Sequence, residues 1–391
     1  MSQSTEKRNH LNAISRRGFV TSCIGGSAFS LLATRAEMTG SGTIAGRTET
    51  SGATMVWTMK GPVSCNSLGT TLMHEHLFDL SGAYKGNPGY TEIAEIPDDE
   101  RAETVRFDAS LLNDAARVGI DTIVDLTPYR PIDLYEQIAS RTTVNIVPCT
   151  GFFPSGIWNV PRWMAEMNDE KQMEHHMLKE VTEGIDGTNI RAGIIKVASL
   201  TSPISDREKK FFRAAARVQK AMGVRIATHV GGNAREQLDL LVQAGAEPAL
   251  IFFSHVDMML HGGRTREEVR DLLVSVAQEG GYMEVDTFGY QTHGMDKVYT
   301  GWSDLVFLLR SICDAGFANR IFPSMDCNWH WANGKKWFEG SEAPYFDPDA
   351  SKRTFAYLIT DAVPRLLKSG FSQKEIHTFL VDNPRRFFGG E

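Results

Sequence analysis

Several features that mark other classes of protein are absent from this sequence. Its five cysteines include no Cys-x-x-Cys pair, so a zinc site built from thiolates is not expected. No long basic run accompanies the net charge of -7, which argues against nucleic acid as a partner. No stretch of about 20 apolar residues marks a membrane-spanning helix, so no membrane contact is expected of the mature form.

The composition is that of a globular protein with a large core. Of the 391 residues, 42% are hydrophobic and 23% are charged. A chain of this length often forms two domains, but a single α/β barrel also reaches this size. The order of helices and strands therefore has to decide between these arrangements.

Residues 1–36 have the layout of an export signal. A polar segment ends at Arg16 and Arg17, a moderately apolar stretch rich in Gly, Ser and Ala follows, and small residues up to Ala36 suit cleavage. The paired arginines resemble the twin-arginine export signal. We therefore expect an exported, periplasmic protein, the alternative being a disordered tail with a chance arginine pair.

Two shorter segments separate this signal from the main fold. Residues 37–54 are rich in Gly, Ser and Thr and are expected to form a flexible linker. Residues 55–63 then alternate weakly around a Gly-Pro pair, which predicts a small hairpin. The main domain is expected to span residues 55–391.

From this point the sequence repeats one theme, a helical stretch followed by a short buried strand. The predicted strands span residues 70–78, 121–127, 144–150, 191–198, 224–229, 250–255, 282–287 and 321–326. Such alternation implies parallel strands joined by helical crossovers, and eight units predict a (β/α)8 TIM barrel. An open doubly wound sheet is the alternative, but no Gly-x-Gly-x-x-Gly fingerprint follows the first strand.

Coordinating or ionisable side chains are predicted near the C-terminal ends of five of these strands. The set comprises His74, His76, Lys196, His229, His255 and Asp326. Barrel enzymes build their active sites at this end, and the two histidines of the His-x-His pair share one face of their strand. Such a set is suited to two metal ions about 3.5–4 Å apart. One ion would be held by His74, His76 and Asp326, and the other by His229 and His255.

Lys196 has two interpretations. An ammonium group beside two dications is strongly disfavoured and offers no lone pair, so the lysine would have to be structural and paired with a carboxylate. Alternatively, CO2 caps the amine as a carbamate, which would then be an anionic ligand that bridges both ions.

These motifs resemble those of one protein family. The matching segments are Gly69-Thr-Thr-Leu-Met-His-Glu-His76, Ile190-Arg-Ala-Gly-Ile-Ile-Lys196, Thr228-His229, Ser254-His255, Ser324-Met-Asp326 and Asn383-Pro-Arg-Arg-Phe387. Together they resemble the phosphotriesterase-like branch of the amidohydrolase superfamily. The resemblance implies a binuclear metal hydrolase, often with zinc (manganese, cobalt or iron being alternatives), with the six residues as ligands and Lys196 carboxylated. Its members hydrolyse lactones, organophosphate triesters or related esters.

The expected reaction is attack by a metal-bridged hydroxide on a small-molecule substrate, a lactone or related ester, with Asp326 as the acid/base residue. An organophosphate triesterase is the alternative within this class. A metal-binding barrel without turnover is the alternative from another class. A homodimer is a further expectation.

Substrate preference is expected to depart from that of the family. Thr287 stands where many members carry arginine or histidine, and Phe153 stands near the place where lactonases have tyrosine. A long aromatic segment after Asp326, which includes Trp329 and Trp331, is expected to form an apolar wall. The alternative is that these aromatics only fasten the segment to the barrel.

Overall fold

The computed structural model describes residues 54–77, 92–155, 160–230, 232–289, 300–332, 335–338 and 353–390. For residues 93, 328–332 and 335–338 it describes the backbone alone. The predicted signal peptide and linker lie outside this set, apart from Thr54. Cleavage and export therefore stay predictions.

Eight parallel strands form the centre of the fold. They are β3 (Thr71–His76), β4 (Thr122–Asp125), β5 (Asn145–Phe152), β6 (Ile194–Ala198), β7 (Arg225–His229), β8 (Ile251–Ser254), β9 (Tyr282–Val285) and β10 (Ile321–Pro323). Each strand pairs in parallel with the next one along the chain. β10 returns to β3, where His74 N–H donates to Ser324 Oγ and Asp326 N–H donates to the carbonyl of His74. The predicted (β/α)8 barrel is confirmed, and the open doubly wound sheet is wrong.

Two of the strands end just before a predicted ligand residue. β8 ends at Ser254 and β10 at Pro323, whereas both were expected to continue to the ligand residue. The reason is that His255 and Asp326 have φ angles of 58° and 46°. A residue in this left-handed region turns the chain out of the extended conformation. Both side chains therefore lie just beyond their strands.

The helices cover the outside of the barrel. They are α1 (Asp98–Arg117), α2 (Ile132–Ala139), α3 (Arg162–Glu166), α4 (Glu170–Thr182), α5 (Asp206–Met222), α6 (Ala234–Gln243), α7 (Arg266–Gln278), α8 (Trp302–Asp314), α9 (Val363–Lys368), α10 (Gln373–His377) and α11 (Asn383–Gly389). α5 shows why such helices begin and end where they do. A capping box of Ser205 and Glu208 satisfies its first amides, and Gly223 ends it in the left-handed conformation. Within the described residues, no helix is long and apolar enough to cross a membrane.

The two ends of the barrel interior differ in chemistry. Near the N-terminal ends of the strands, Phe252, Tyr282 and Phe322 pack against one another and against Phe387 of α11, and all four are buried. Aromatic packing closes this end of the barrel to water. The ionisable side chains predicted as ligands lie at the opposite end, near the C-terminal ends of the strands.

Two antiparallel pairs accompany the barrel. β1 (Met55–Thr58) pairs with β2 (Gly61–Ser64) ahead of the first barrel strand. After the barrel closes, β11 (Cys327–Ala332) runs parallel to β3 and then pairs with β12 (Lys335–Phe338). The aromatic segment after Asp326 thus begins with two short strands.

Candidate metal centre

The six predicted ligand residues are brought together at the C-terminal end of the barrel. The two Nε2 atoms of His74 and His76 lie 3.2 Å apart, and Asp326 Oδ1 lies 3.5 and 3.3 Å from them. Lys196 Nζ lies 3.3 Å from His74 Nε2. The ring of His255 is centred 4.8 Å from that of His74 and 4.4 Å from that of His229.

Carboxylates determine which nitrogen of His74 carries its proton. His74 Nδ1 lies 2.8 Å from Glu284 Oε2 and 3.0 Å from Asp286 Oδ2, and only an N–H can donate there. Burial lowers the pKa of this imidazole to about 3, so the ring is neutral. Its Nε2 therefore presents a lone pair towards His76 and Asp326, as a metal ligand must.

Asp286 contacts two of the predicted ligands at once. Its Oδ1 lies 3.0 Å from His255 Nδ1, while its Oδ2 also accepts the His255 backbone N–H at 3.2 Å. Burial opposes ionisation of Asp286, but His255 and His74 outweigh it and hold its pKa well below the ordinary range. The same contact, with help from Asp326, outweighs burial at His255 and raises the pKa of that imidazole. One carboxylate thus orients the rings of His74 and His255.

The surroundings of Lys196 do not match those of a structural ion pair. The side chain is fully buried, and Nζ has Ser254 Oγ and His74 Nε2 as neighbours, each 3.3 Å away. Within the described residues no carboxylate forms an ion pair with it, and burial lowers its pKa. Gly151 permits this position, because a Cβ there would overlap the Lys196 carbonyl oxygen at 1.7 Å.

Several buried residues that support the ligands were not anticipated from the sequence. Glu284 on β9, two residues before Asp286, meets His74, and Thr127 Oγ1 lies 2.8 Å from His76 Nδ1. Burial, together with the charge of Asp286, raises the pKa of Glu284 well above its usual value. The spacing of Glu284 and Asp286 by two residues was the available signal, since both side chains must face one side of the strand.

Asp326 is more accessible than His74 and His76, the two histidines beside it. Its side chain is 19% exposed, whereas that of His74 is 1% exposed. Burial opposes its ionisation, but His74 and His255 hold the pKa of Asp326 well below the ordinary range. The cluster therefore presents a carboxylate, not a carboxylic acid, towards the open end of the barrel.

The predicted substrate-binding residues have different surroundings. Phe153 is 5% exposed, with its ring edge-on to Tyr129 at 5.9 Å between centroids. Thr287 is buried and donates its hydroxyl hydrogen to Asp257, whose pKa burial raises to about 7. Trp329 and Trp331 have their backbone in β11, but their side chains lie outside the described residues. The roles of these residues in substrate binding stay predictions.

Comparisons with known proteins match nearly all of the described chain. The model of the phosphotriesterase family matches residues 54–388. An N-acetyltaurine hydrolase from Salmo salar is 26% identical over 366 residues, which cover 85% of this chain and 97% of that protein.

Solved structures are similar over the same region. A mutant of an organophosphorus hydrolase from Deinococcus radiodurans is 30% identical, with a TM-score of 0.72, covering 86% of this chain and 98% of that one. A mutant of a PTE-like lactonase from the same organism is 30% identical, with a TM-score of 0.71, covering 85% of this chain and 100% of that one.

Proposed function

The chain belongs to the phosphotriesterase family, and from this membership we propose that it is a hydrolase that uses two divalent metal ions to cleave lactones or related esters. The observation that carries the proposal is the convergence of His74 Nε2, His76 Nε2 and Asp326 Oδ1 within 3.5 Å of one another. Two imidazole nitrogens and a carboxylate oxygen at this separation suit a cation between them. The family resemblance read from the sequence motifs is confirmed by the match.

Donor chemistry supports a division of the ligands between two ions. His74, His76 and Asp326 would hold one ion, and His229 and His255 the other. His255, His74 and Asp326 offer ligand atoms that all lie within 4.8 Å of one another, which favours neighbouring ions. Neutral imidazole and carboxylate are ligands that zinc accepts readily, so zinc is the metal we propose, with manganese, cobalt and iron as alternatives.

We propose that Lys196 is carboxylated and bridges the two ions. The neutral amine would attack CO2, forming an N–C bond as one C–O π bond of CO2 breaks and one N–H proton is released, so that a buried neutral amine becomes an anionic carbamate. Burial supports this step because it favours the neutral amine over the ammonium. The lack of an ion pair to Lys196 among the described residues supports it further.

Two divalent ions would supply a water of lowered pKa and a Lewis acid for the substrate oxygen. Asp326 is the group we assign to proton transfer, because it is ionised, partly exposed and beside both histidines of the first ion. Glu284 and Asp286 keep the proton of His74 on Nδ1, which leaves Nε2 free to act as a ligand.

Three substrate classes compete. Lactones and related esters lead, with support from the Deinococcus radiodurans PTE-like lactonase. Phe153 is apolar and the hydroxyl of Thr287 is held by Asp257, so neither offers a polar contact to a leaving group, and we propose a preference for apolar substituents. Organophosphate triesters are the alternative supported by the Deinococcus radiodurans organophosphorus hydrolase. The Salmo salar N-acetyltaurine hydrolase adds N-acyl amides as a third class.

Metal analysis together with a substrate panel tests this proposal. The purified protein should contain two metal ions per chain and turn over lactones faster than phosphotriesters or N-acyl amides. Asp326→Asn, which is nearly isosteric, should lose turnover, whereas Glu180→Gln on α4, away from the site, should not. Bound metal without turnover on any class would favour a metal-binding barrel instead.

Two further parts of the proposal concern the whole protein. We propose export by the twin-arginine-type signal to the periplasm, and a homodimer in solution. Light scattering on the purified protein tests the second, since a mass equal to one chain would contradict it.

A further inference from the structure

We propose that Glu75 and Arg353 are positioning residues that hold Asp326 in place through the backbone on either side of it. This inference rests on the proposed function, because it concerns the residue to which proton transfer and metal binding were assigned. Neither residue lies in the ligand set. Both act on the turn formed by residues 325–327.

The conformation of Asp326 has to be imposed by its surroundings. Its φ of 46° is one of three positive values among non-glycine residues in the described part of the chain, and His255 has another. An L-residue adopts this conformation at a cost in free energy, so it persists only where neighbouring groups determine it. Asp326 N–H donates to the carbonyl of His74, which fixes one of the groups around the turn.

Glu75 holds the amides that flank Asp326. The side chain lies on the opposite face of β3 from His74 and His76, as alternation requires. Its Oε1 accepts the N–H of Met325 at 3.1 Å, and its Oε2 accepts the N–H of Cys327 at 2.9 Å. Ser324 Oγ lies 2.9 Å from the same Oε1. One fully buried carboxyl group thus holds both ends of the 325–327 turn and also contacts Ser324 just before it.

Arg353 holds the carbonyl groups of the same turn. Its Nη2 donates to the carbonyls of Met325 and Asp326, and its Nε donates to the carbonyl of Phe288 at 2.9 Å. The side chain is 2% exposed. Gly289 gives it room, because a Cβ there would lie 2.9 Å from Arg353 Cδ. The guanidinium therefore ties the turn of Asp326 to the segment that follows Asp286 and Thr287.

Glu75 binds the amides of the turn and Arg353 binds its carbonyls, and a similar residue at either position cannot make the same hydrogen bonds. A glutamine at position 75 has one oxygen, so its NH2 group would face one of the two amide N–H groups. A lysine at position 353 keeps the charge but has one nitrogen in place of a planar fork, so it cannot hold Phe288 and Met325 together. Either change should release the turn and shift the Asp326 carboxylate relative to His74 and His76.

The test compares Glu75→Gln and Arg353→Lys with a control, Glu180→Gln. Glu180 lies on α4, and its buried carboxyl group is paired with Arg130. On the best substrate of the panel, both variants should lower kcat by about 10²-fold with little change in KM, because a displacement near 1 Å can cost this much. Zinc affinity, measured by chelator competition, should fall as well. The control should change neither quantity.

A double-mutant cycle separates positioning from a general structural role. If Glu75 acts through Asp326, then Glu75→Gln should change zinc affinity little in an Asp326→Asn background. An equal loss in both backgrounds would overturn the proposal. If Glu75→Gln does not fold, the same double-mutant cycle is measured with Arg353→Lys and Asp326→Asn.

A crystal structure of Glu75→Gln gives a readout that does not depend on activity. The φ of Asp326 should leave the left-handed region, and an unchanged φ would overturn the inference. If wild-type protein shows no turnover while the variant turn still moves, the proposed function fails and the positioning role stands.

Discussion

Asp286→Asn is the change that should discriminate most sharply between the two proposed metal ions. Asp286 accepts the Nδ1 protons of both His74 and His255, and asparagine can keep only one of these bonds. His74 retains a second acceptor, Glu284 Oε2, at 2.8 Å. For His255 the other nearby carboxylate in the described structure is Asp326 Oδ2, at 3.9 Å. The ion assigned to His255 should therefore be lost first.

The expected size of the effect follows from the bond that is lost. A hydrogen bond to a charged group contributes about 1.5–3 kcal/mol. A loss of about 2 kcal/mol corresponds to about a 30-fold weaker affinity, at 1.4 kcal/mol for each factor of ten. This lies within the range of about 10–100-fold found when partners of metal-binding histidines are removed.

Zinc titration of the metal-free protein against a competing chelator measures both affinity and stoichiometry. Asp286→Asn should retain one ion tightly and bind the second about 30-fold more weakly. Glu284→Gln is the matched control. It leaves intact the two hydrogen bonds that His255 makes to Asp286 through its backbone N–H and its Nδ1, and it keeps an oxygen facing His74. Two ions bound to Asp286→Asn with wild-type affinity would refute the assignment of Asp286, and equal losses in the control would do so too.

The contact between His255 and Asp286 also predicts a dependence on pH. The pKa of Asp286 is lowered, so its stabilising contribution is present above the unfolded value of about 3.9 and is lost in acid. The pKa of His255 is raised, so its contribution is present below about 6.5 and is lost as pH rises through the folded value. Denaturant unfolding of metal-free protein should show the largest cost of Asp286→Asn between about pH 4 and 6.5. A cost that grows steadily above pH 7 would contradict the ion pair.

The remaining predictions concern the carbamate, the substrate pocket and export. Lys196→Ala should lose metal and turnover, and acetate or propionate should partly restore both; a metal-loaded crystal with an uncapped Nζ would contradict carboxylation. Each CH2 of a substrate that is buried against the apolar wall contributes about 0.8 kcal/mol. Three or four added methylenes in the acyl chain should therefore raise kcat/KM by about two orders of magnitude. Trp329→Ala and Trp331→Ala should raise KM most for the longest acyl chains, and equal losses at all lengths would count against an apolar wall. Arg16→Lys with Arg17→Lys should retain the precursor in the cytoplasm, and normal appearance of periplasmic protein would refute the signal.

Local sequence patterns were sufficient to predict the fold and to predict that the candidate ligands lie close together. Alternation places His74 and His76 on one face of a strand whatever surrounds them. Repeated helix and strand segments imply parallel pairing, and parallel pairing brings the C-terminal ends of all strands to one end of a barrel. Residues as distant as Lys196 and Asp326 were for this reason expected to meet.

Only the tertiary structure decided how these ligands are held. Glu284 lies 210 residues from the His74 ring it contacts, and Glu75 lies 252 residues from the Cys327 amide it accepts. Periodicity records which face of a strand a side chain occupies, but not which groups from other strands it meets there. Nor does it reveal that His255 and Asp326 leave their strands in the left-handed conformation, because that depends on hydrogen bonds from distant segments. The proton positions and orientations of the proposed metal ligands depend on these long-range contacts.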